Sequence, residues 1–142
     1  LEFAKRFQLD MKNLFILETG GMKGRGKELI REELHQILKG AFNTNFVFSE
    51  YGMTELLSQA YLQRDGLFHT PPWMRVLIRE IHDPFSYAKK GQTGVIKVID
   101  MANIHSCAFI ETEDMGLLVR DGFKVIGRLD NSDLRGCNLL LP

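Results

Sequence analysis

Two short apolar runs and one helical pattern open the chain. The run at residues 14–17 and the run FVFS at residues 46–49 predict two buried strands. Between them, apolar positions at helical spacing predict an amphipathic helix that begins near Lys27 and ends near Gly40. These positions are Leu29, Ile30, Leu34, Ile37, Leu38 and Phe42. The order strand, helix, strand predicts a parallel pair whose following loops share one edge of the sheet.

The rest of the chain has a different texture. Residues 1–7 predict the end of a helix, and residues 54–62 (TELLSQAYL) predict a helix or a helical turn. After Asp65 and Gly66, β-rich segments separated by Gly, Pro, Asp and Asn predict a mostly antiparallel sheet or partial barrel. These segments are Trp73–Ile81, Gly94–Ile99, Ser106–Glu111, Gly116–Val119 and Phe123–Gly127. We therefore expect an α/β part over residues 1–64, a β-rich lobe over 65–130 and a hinge with a tail over 131–142.

Composition narrows the class of protein. The 142 residues are 44% hydrophobic and 25% charged, which is typical of a globular domain. Because 18 Lys and Arg balance 18 Asp and Glu, no electrostatic field favours nucleic acid or an anionic membrane. No apolar run reaches the length of a membrane span. Only two cysteines occur, which predicts a reducing, cytoplasmic location, and the first residue, Leu1, suggests a processed or truncated chain.

The glycine-rich stretch ETGGMKGRGKEL at residues 18–29 resembles a phosphate-binding P-loop. Gly21, Gly26 and Lys27 have the required spacing, and VIKVID at residues 95–100 resembles the acidic-ended strand of such hydrolases. However, Glu28 stands where the P-loop needs the Ser or Thr hydroxyl that binds Mg²⁺. A carboxylate there would repel the phosphates, which argues against a P-loop hydrolase.

The second loop at the same edge reads YGMTE, residues 51–55. A tyrosine ring can stack on a purine, a threonine hydroxyl can bind a phosphate, and a glutamate can hold Mg²⁺. In the alternative interpretation, Thr54 caps a helix and Tyr51 packs in the core. Further along lie TEDMG at residues 112–116, DGF at 121–123 and GRLD at 127–130.

In this order, the motifs YGMTE, TEDMG, DGF and GRLD resemble those of the adenylate-forming acyl and aryl acid ligases, YGxTE, TGD, DG and GRxD. The resemblance implies ATP, AMP and Mg²⁺ as cofactors and a carboxylic acid as substrate. It places the glycine loop of Gly20, Gly21 and Met22, together with Gly52, beside adenine. The sequence departs from the family at Glu113, where the family has Gly, which raises a question about the geometry of that turn.

The resemblance also assigns roles to single residues. Tyr51 would stack on adenine, Thr54 would bind the α-phosphate, and Glu55 would bind Mg²⁺. Asp114 would accept hydrogen bonds from both ribose hydroxyls, Arg128 would approach the ribose or a phosphate, and Asp130 would lie at the family's hinge. The alternative for Asp114 and Arg128 is a surface ion pair without a ligand.

A narrower resemblance concerns the tail. RLDNSDLRGCNLL, residues 128–140, is similar to the end of bacterial acyl-protein synthetases, the fatty-acid-activating component of the luminescence-type fatty acid reductase. That family carries the acyl group on a cysteine that Cys137 matches, before delivery to an acyl-accepting reductase partner. The upstream phosphate loop and the carboxyl-terminal lobe of the adenylate-forming ligases do not occur in this sequence, so we expect a fragment that is inactive by itself.

Two alternatives remain open at this point: a piece of a phenylacetate-type acyl-CoA ligase, and a nucleotide-binding module without chemistry. Cys137 and Cys107 are also typical of buried hydrophobes, and we expect Cys107 in the core. We expect His35 at the surface or its boundary and Trp73 in packing, and no histidine pair has the spacing of a zinc site.

Overall fold

The computed structural model describes residues 1–20 and 29–129. Two helices, α1 (Glu2–Arg6) and α2 (Arg31–Phe42), flank the first strand, β1 (Ile16–Glu18). The remaining strands and one short 3₁₀ helix follow in chain order: β2 (Val47–Tyr51), β3 (Ala60–Leu62), β4 (Phe68–His69), β5 (Met74–Arg79), β6 (Gly94–Asp100), the 3₁₀ helix (Met101–Asn103), β7 (Phe109–Val119) and β8 (Gly122–Arg128).

All of these strands join one mixed sheet in the order β1-β2-β3-β4-β8-β7-β6-β5. Strands β1 and β2 are parallel, with Ile16 opposite Val47, and α2 forms the crossover between them. Each of the other pairings is antiparallel. The predicted fold class, a parallel strand–helix–strand unit followed by a mostly antiparallel β-rich part, is therefore confirmed, and the sheet is open. The domain boundaries stay a prediction.

Two groups of buried side chains stabilise this arrangement. One lies between α1, α2 and β2 and consists of Ala4, Leu38, Ala41, Phe42 and Val47. The larger one lies against the antiparallel strands and consists of Tyr51, Leu56, Ala60, Leu62, Phe68, Met74, Val76, Ile78, Ile96, Val98 and Phe123. Strand β2 contributes to both groups, since alternate residues from Val47 to Tyr51 are buried. The buried side chain of Tyr51 thereby holds the end of β2, where YGMTE begins, against the antiparallel strands.

Three sequence predictions about elements are wrong. The segment TELLSQAYL forms a turn and then β3 instead of a helix. The two strands predicted around TEDMG are one long strand, β7, that runs through the motif. The helix α2 begins at Arg31 and ends at Phe42, later than predicted, where Asn43 adopts a left-handed conformation (φ 47°). Within the described ranges, no helix has both the length and the apolar character needed to cross a bilayer.

The strands on both sides of β7 leave no room for a side chain at Gly116, the last residue of TEDMG. A Cβ atom there would lie 2.4 Å from the carbonyl oxygen of Lys124 and 2.8 Å from Ile96 Cδ1, while a Cβ at Gly127 would meet nothing within 4 Å. We expect Gly116→Ala to lower the free energy of unfolding by about 1–3 kcal/mol because the backbone must move. The matched variant Gly127→Ala should change it by less than about 0.5 kcal/mol. Denaturant titration of both variants tests the difference, and equal losses would contradict it.

Candidate functional site

The structure brings YGMTE and TEDMG into direct contact. The Tyr51 hydroxyl donates a hydrogen bond of 2.9 Å to Oδ2 of Asp114, across 63 positions of sequence. Tyr51 is the last residue of β2, and Asp114 lies in the middle of β7. Burial and the neighbouring Asp114 carboxylate raise the pKa of the Tyr51 hydroxyl far above its usual value. The hydroxyl therefore stays protonated and acts as the donor throughout the neutral range.

A β-bulge determines where the Asp114 side chain lies. On β6, Val95 pairs with Met115 and Lys97 pairs with Glu111, so residues 112–114 of β7 oppose Ile96 alone. The Thr112 hydroxyl donates to the Ile96 carbonyl (2.9 Å) and accepts the Asp114 N–H (3.0 Å), which replaces the missing ladder bonds. Since a bulge changes the direction of side chains, the extra residues in β7 turn the Asp114 side chain towards Tyr51.

The third motif, GRLD, contributes Arg128 beside the same carboxylate. Asp114 pairs with Arg128 across β7 and β8, and Arg128 Nε lies 3.6 Å from Asp114 Oδ1. The guanidinium also donates to Glu113 Oε2 at 3.0 Å, so the residue that departs from the family pattern contacts Arg128. Glu113 lies in extended strand, and its presence does not prevent the approach of Asp114 and Arg128. Both Arg128 and Glu113 are exposed, and such a pair contributes little to stability.

The Tyr51 ring is part of the core. It is 7% exposed and packs edge-on against Phe68 and Phe123, with ring centroids 6.1 and 5.5 Å away. The packed state of Tyr51 thus agrees with the alternative drawn from its sequence, although Thr54 begins a turn and caps no helix. Stacking of adenine on Tyr51 stays a prediction. What the structure shows is a buried ring whose hydroxyl holds the Asp114 carboxylate in place.

The remaining predicted residues of the two loops lie at the carboxyl ends of β1 and β2. Gly20 follows β1 with a positive φ of 78°, and its N–H donates to Glu18 Oε2 at 2.7 Å. Gly52, Thr54 and Glu55 are exposed in the turn after β2. Their backbone is well placed for a ligand at this edge, where parallel strands present their binding loops. The predicted residues Gly21, Met22, Asp130 and Cys137 lie outside the described residues.

Glu55 fits the role of a Mg²⁺ ligand in one specific respect. Its carboxylate is exposed and contacts no other charged group among residues 1–20 and 29–129. Those same residues contain no cluster of three or more His, Cys, Asp or Glu that could enclose a metal. One carboxylate without a protein cage suits Mg²⁺, which commonly uses one or two carboxylates together with substrate phosphates. The role of Glu55 as a Mg²⁺ ligand stays a prediction.

A buried polar cluster beside the first loop was not predicted. His35 on α2 is 9% exposed, so the expectation of a surface or boundary position is wrong. Its Nε2 lies 2.9 Å from Ser49 Oγ and 3.6 Å from Glu18 Oε1, and Arg31 Nε lies 3.6 Å from the same Glu18 oxygen. Because one ring nitrogen faces both Ser49 and Glu18, this arrangement is no catalytic triad. It links α2 to the end of β1 and the middle of β2, and the cluster depends on the tertiary packing of α2.

The His35 cluster predicts a dependence of stability on pH. Burial lowers the pKa of His35 below its ordinary value of 6.5, opposed in part by the Glu18 charge. The unfolded chain therefore binds the proton first as pH falls, so stability should be complete above about pH 7 and decrease below about 6.5. Thermal midpoints of wild type and His35→Gln at about pH 7.5 and about pH 5.5 test this. On acidification, the thermal midpoint of the wild type should fall further than that of the variant. Equal decreases would contradict the assignment to His35.

Two further residues differ from expectation. Cys107 is exposed, so its predicted core position is wrong, because β7 begins only at Phe109 and the apolar alternation does not extend back to it. Trp73 is 55% exposed, and its indole N–H donates to Ser58 Oγ at 2.9 Å. Trp73 thus touches the segment that follows YGMTE.

Comparisons with known proteins add to this geometry. No curated protein sequence matches the chain. Among solved structures, o-succinylbenzoate CoA synthetase (MenE) from Bacillus subtilis, in complex with the acyl-adenylate intermediate OSB-AMP, matches with a TM-score of 0.61 and 22% identity over 89% of this chain and 36% of that chain. The luciferase-like enzyme from the nonluminescent mealworm Zophobas morio matches with a TM-score of 0.57 and 22% identity over 90% of this chain and 34% of that one.

Apo MatB from Rhodopseudomonas palustris matches with a TM-score of 0.56 and 15% identity over 80% of this chain and 25% of that chain. These neighbours are adenylate-forming ligases, and at such identities the likeness shows a shared fold. The chain spans between a quarter and about a third of the length of these proteins. Residues 4–142 match the family described as acyl-protein synthetase, LuxE. The chain therefore belongs to the LuxE acyl-protein synthetase family.

Proposed function

We propose that the protein carrying this chain is an ATP-dependent acyl-protein synthetase that activates a fatty acid as acyl-AMP. The observation that carries the proposal is the 2.9 Å hydrogen bond from Tyr51 to Asp114, with Arg128 Nε 3.6 Å from the same carboxylate. It joins three motifs that the family resemblance assigns to one nucleotide. The solved complexes of MenE with an acyl-adenylate and of MatB with ATP support the nucleotide part.

In this proposal, different residues of the site bind the ribose, the adenine and the phosphates of the nucleotide. Asp114, whose side chain is 22% exposed, accepts hydrogen bonds from the ribose hydroxyls, and Arg128 supplies positive charge beside it. Adenine lies over the loop of Gly20, Gly21 and Met22, close to Gly52 and Tyr51. The Thr54 hydroxyl binds the α-phosphate, and Glu55 holds Mg²⁺. When bound, Mg²⁺ supplies positive charge that offsets the negative charge on the phosphates.

The first reaction forms a mixed anhydride. A carboxylate oxygen of the fatty acid attacks the α-phosphorus of ATP, the bond between that phosphorus and the bridging oxygen breaks, and pyrophosphate leaves with the electron pair. Thr54 and Arg128 stabilise the charge that develops on the α-phosphate oxygens, and Asp114 keeps the ribose fixed so that the attack stays in line.

The second reaction moves the acyl group to the protein. The thiolate of Cys137 attacks the acyl carbonyl, the bond to the AMP oxygen breaks, and AMP leaves. The thioester would then be delivered to an acyl-accepting reductase partner. Cytoplasmic location fits a cysteine that must stay reduced between turnovers. The alternative acceptor, coenzyme A, would leave Cys137 without a role in turnover.

ATP–pyrophosphate exchange by the full-length protein tests the proposal. Exchange should require Mg²⁺ and a carboxylic acid, and a series of fatty acids of different chain length beside phenylacetate should show a preference for the fatty acids. Omission of the acid is the control for exchange that contaminating enzymes catalyse. Absence of exchange with every acid, together with binding of ATP, would overturn the proposal in favour of a nucleotide-binding module without chemistry.

A further inference from the structure

A buried carboxylate outside the three motifs holds the loop that carries Thr54 and Glu55. Asp100, the last residue of β6, is fully buried at 0% exposure. Its Oδ2 accepts the backbone N–H groups of Leu57 and Ser58, at 3.0 and 2.9 Å. Its Oδ1 accepts the Ser58 hydroxyl at 2.7 Å and the Ala102 N–H at 3.1 Å. These four donors are neutral, so no cation neutralises the buried charge in the described network.

A second buried side chain, at the end of the 3₁₀ helix, holds the same loop. Asn103, which is 4% exposed, donates from Nδ2 to the carbonyl of Glu55 (2.7 Å) and to that of Cys107 (2.9 Å). Ser58 Oγ in turn accepts the indole N–H of Trp73 at 2.9 Å. The loop is thus fixed along its inner side by contacts to its backbone. The side chains of Thr54 and Glu55 are exposed.

This network costs stability unless every acceptor is used, because burial disfavours the charged form of a carboxylate. Burial raises the pKa of Asp100, but the hydrogen bonds from Ser58, Leu57 and Ala102 outweigh it, and the pKa lies below the usual value. Asp100 is therefore ionised in the neutral range. A charged acceptor binds loop N–H groups more tightly than a neutral one and leaves them little freedom.

We propose that Asp100 is a positioning residue, which fixes residues 55–58 so that Glu55 and Thr54 face Mg²⁺ and the phosphates of ATP. The inference rests on the proposed function, since it concerns the same two loop residues. It adds a residue that lies outside YGMTE, TEDMG, DGF and GRLD, and it gives Trp73 a use as a reporter, because its indole touches Ser58. Trp73 is the single tryptophan of these 142 residues.

The first test is the Mg²⁺ dependence of ATP–pyrophosphate exchange in the full-length protein. Asp100→Asn replaces one acceptor oxygen by an amide that opposes N–H groups, so the Mg²⁺ concentration at half-maximal exchange should rise about tenfold. The KM for the fatty acid should change less than about twofold. The core variant Val76→Ala is the control for a general loss of stability, since a smaller folded fraction lowers kcat and leaves the Mg²⁺ dependence unchanged. An unchanged Mg²⁺ dependence in Asp100→Asn would overturn the inference while the proposed function stands.

The second test does not need turnover. Tryptophan emission is titrated with Mg²⁺ in the presence of ATP, and the same titration of Trp73→Phe is subtracted to isolate Trp73. Wild type should respond at the Mg²⁺ concentration that supports exchange, and Asp100→Asn only at about tenfold higher concentration. If wild type shows this response without any exchange, the proposed function fails and the Asp100→Asn titration still decides the inference. If wild type shows neither response nor exchange, both are wrong.

Discussion

Replacement of Asp114 by asparagine is expected to raise the KM for ATP in pyrophosphate exchange by roughly 10- to 100-fold. A hydrogen bond to a charged acceptor contributes about 1.5–3 kcal/mol, and asparagine offers the ribose one neutral oxygen in place of a carboxylate. The amide oxygen of the variant can still accept the hydrogen bond that the Tyr51 hydroxyl now donates to Oδ2 at 2.9 Å, so the fold should survive the change. The KM for the fatty acid should stay within about twofold because Asp114 does not contact it.

Two neighbouring variants test the Asp114 prediction further, one as a matched control and one as an intermediate case. Glu113→Gln removes the adjacent charge on the same strand. The Glu113 side chain is 67% exposed and, among the described residues, pairs only with Arg128. The substitution should change the KM for ATP by less than about threefold, since exposed ion pairs contribute little. Tyr51→Phe removes the donor that orients Asp114 and should produce an intermediate increase. If Glu113→Gln matched Asp114→Asn, the effect would be one of general charge, and direct ribose contact would be wrong.

The order of the motifs could be read from the sequence, because each motif is a local string and its loop position follows from the strand before it. The strand predicted over residues 46–49 leads into YGMTE, although β2 extends to Tyr51, and the parallel pairing of β1 and β2 follows from the helix between them. The contact between Tyr51 and Asp114 follows less directly. It depends on the pairing of β7 with β8 and on the neighbourhood of β4 and β8, which no local pattern encodes.

The segment TELLSQAYL shows why local spacing failed. Leu56, Leu57 and Ala60 have helical spacing, yet a helix that begins at Thr54 needs the Ser58 N–H for the Thr54 carbonyl and the Leu57 N–H for its N-terminal cap. In the structure Asp100 accepts both, from a strand far along the chain. Tertiary hydrogen bonds to one buried carboxylate thus replace the helical ones. Asp100, the acidic last residue of VIKVID, is therefore the residue that overrides the helix prediction.

The bulge in β7 was equally hidden. Thr112, Glu113 and Asp114 interrupt the apolar alternation, so the sequence predicts a loop between two strands. The strand continues because β6 and β8 pair with it on both sides, and the Thr112 hydroxyl bonds the Ile96 carbonyl at the insertion. His35 belongs to the same class of failure: its helix position looks polar, and only the approach of Ser49 and Glu18 buries it.

Replacement of Cys137 by serine is expected to abolish attachment of the acyl group to the protein while acyl-AMP formation continues. A serine hydroxyl is hardly ionised at neutral pH, whereas a thiol with a pKa of about 8.5 is ionised to a few per cent and is far more nucleophilic. Pyrophosphate exchange by Cys137→Ser should therefore stay near that of wild type. Radiolabelled fatty acid retained on the denatured protein, and released by hydroxylamine, measures the thioester.

The other cysteine makes this experiment decisive. Cys107 is exposed, and its thiol donates to the Phe109 carbonyl at 3.4 Å, so it is chemically accessible. Cys107→Ser should keep the full acyl label, since accessibility alone does not bring a thiol to the acyl-AMP. Label that disappears in Cys107→Ser and persists in Cys137→Ser would move the acyl site to Cys107. If neither variant nor wild type retains label, and turnover requires coenzyme A, the acceptor is the coenzyme and the acyl-CoA ligase alternative holds.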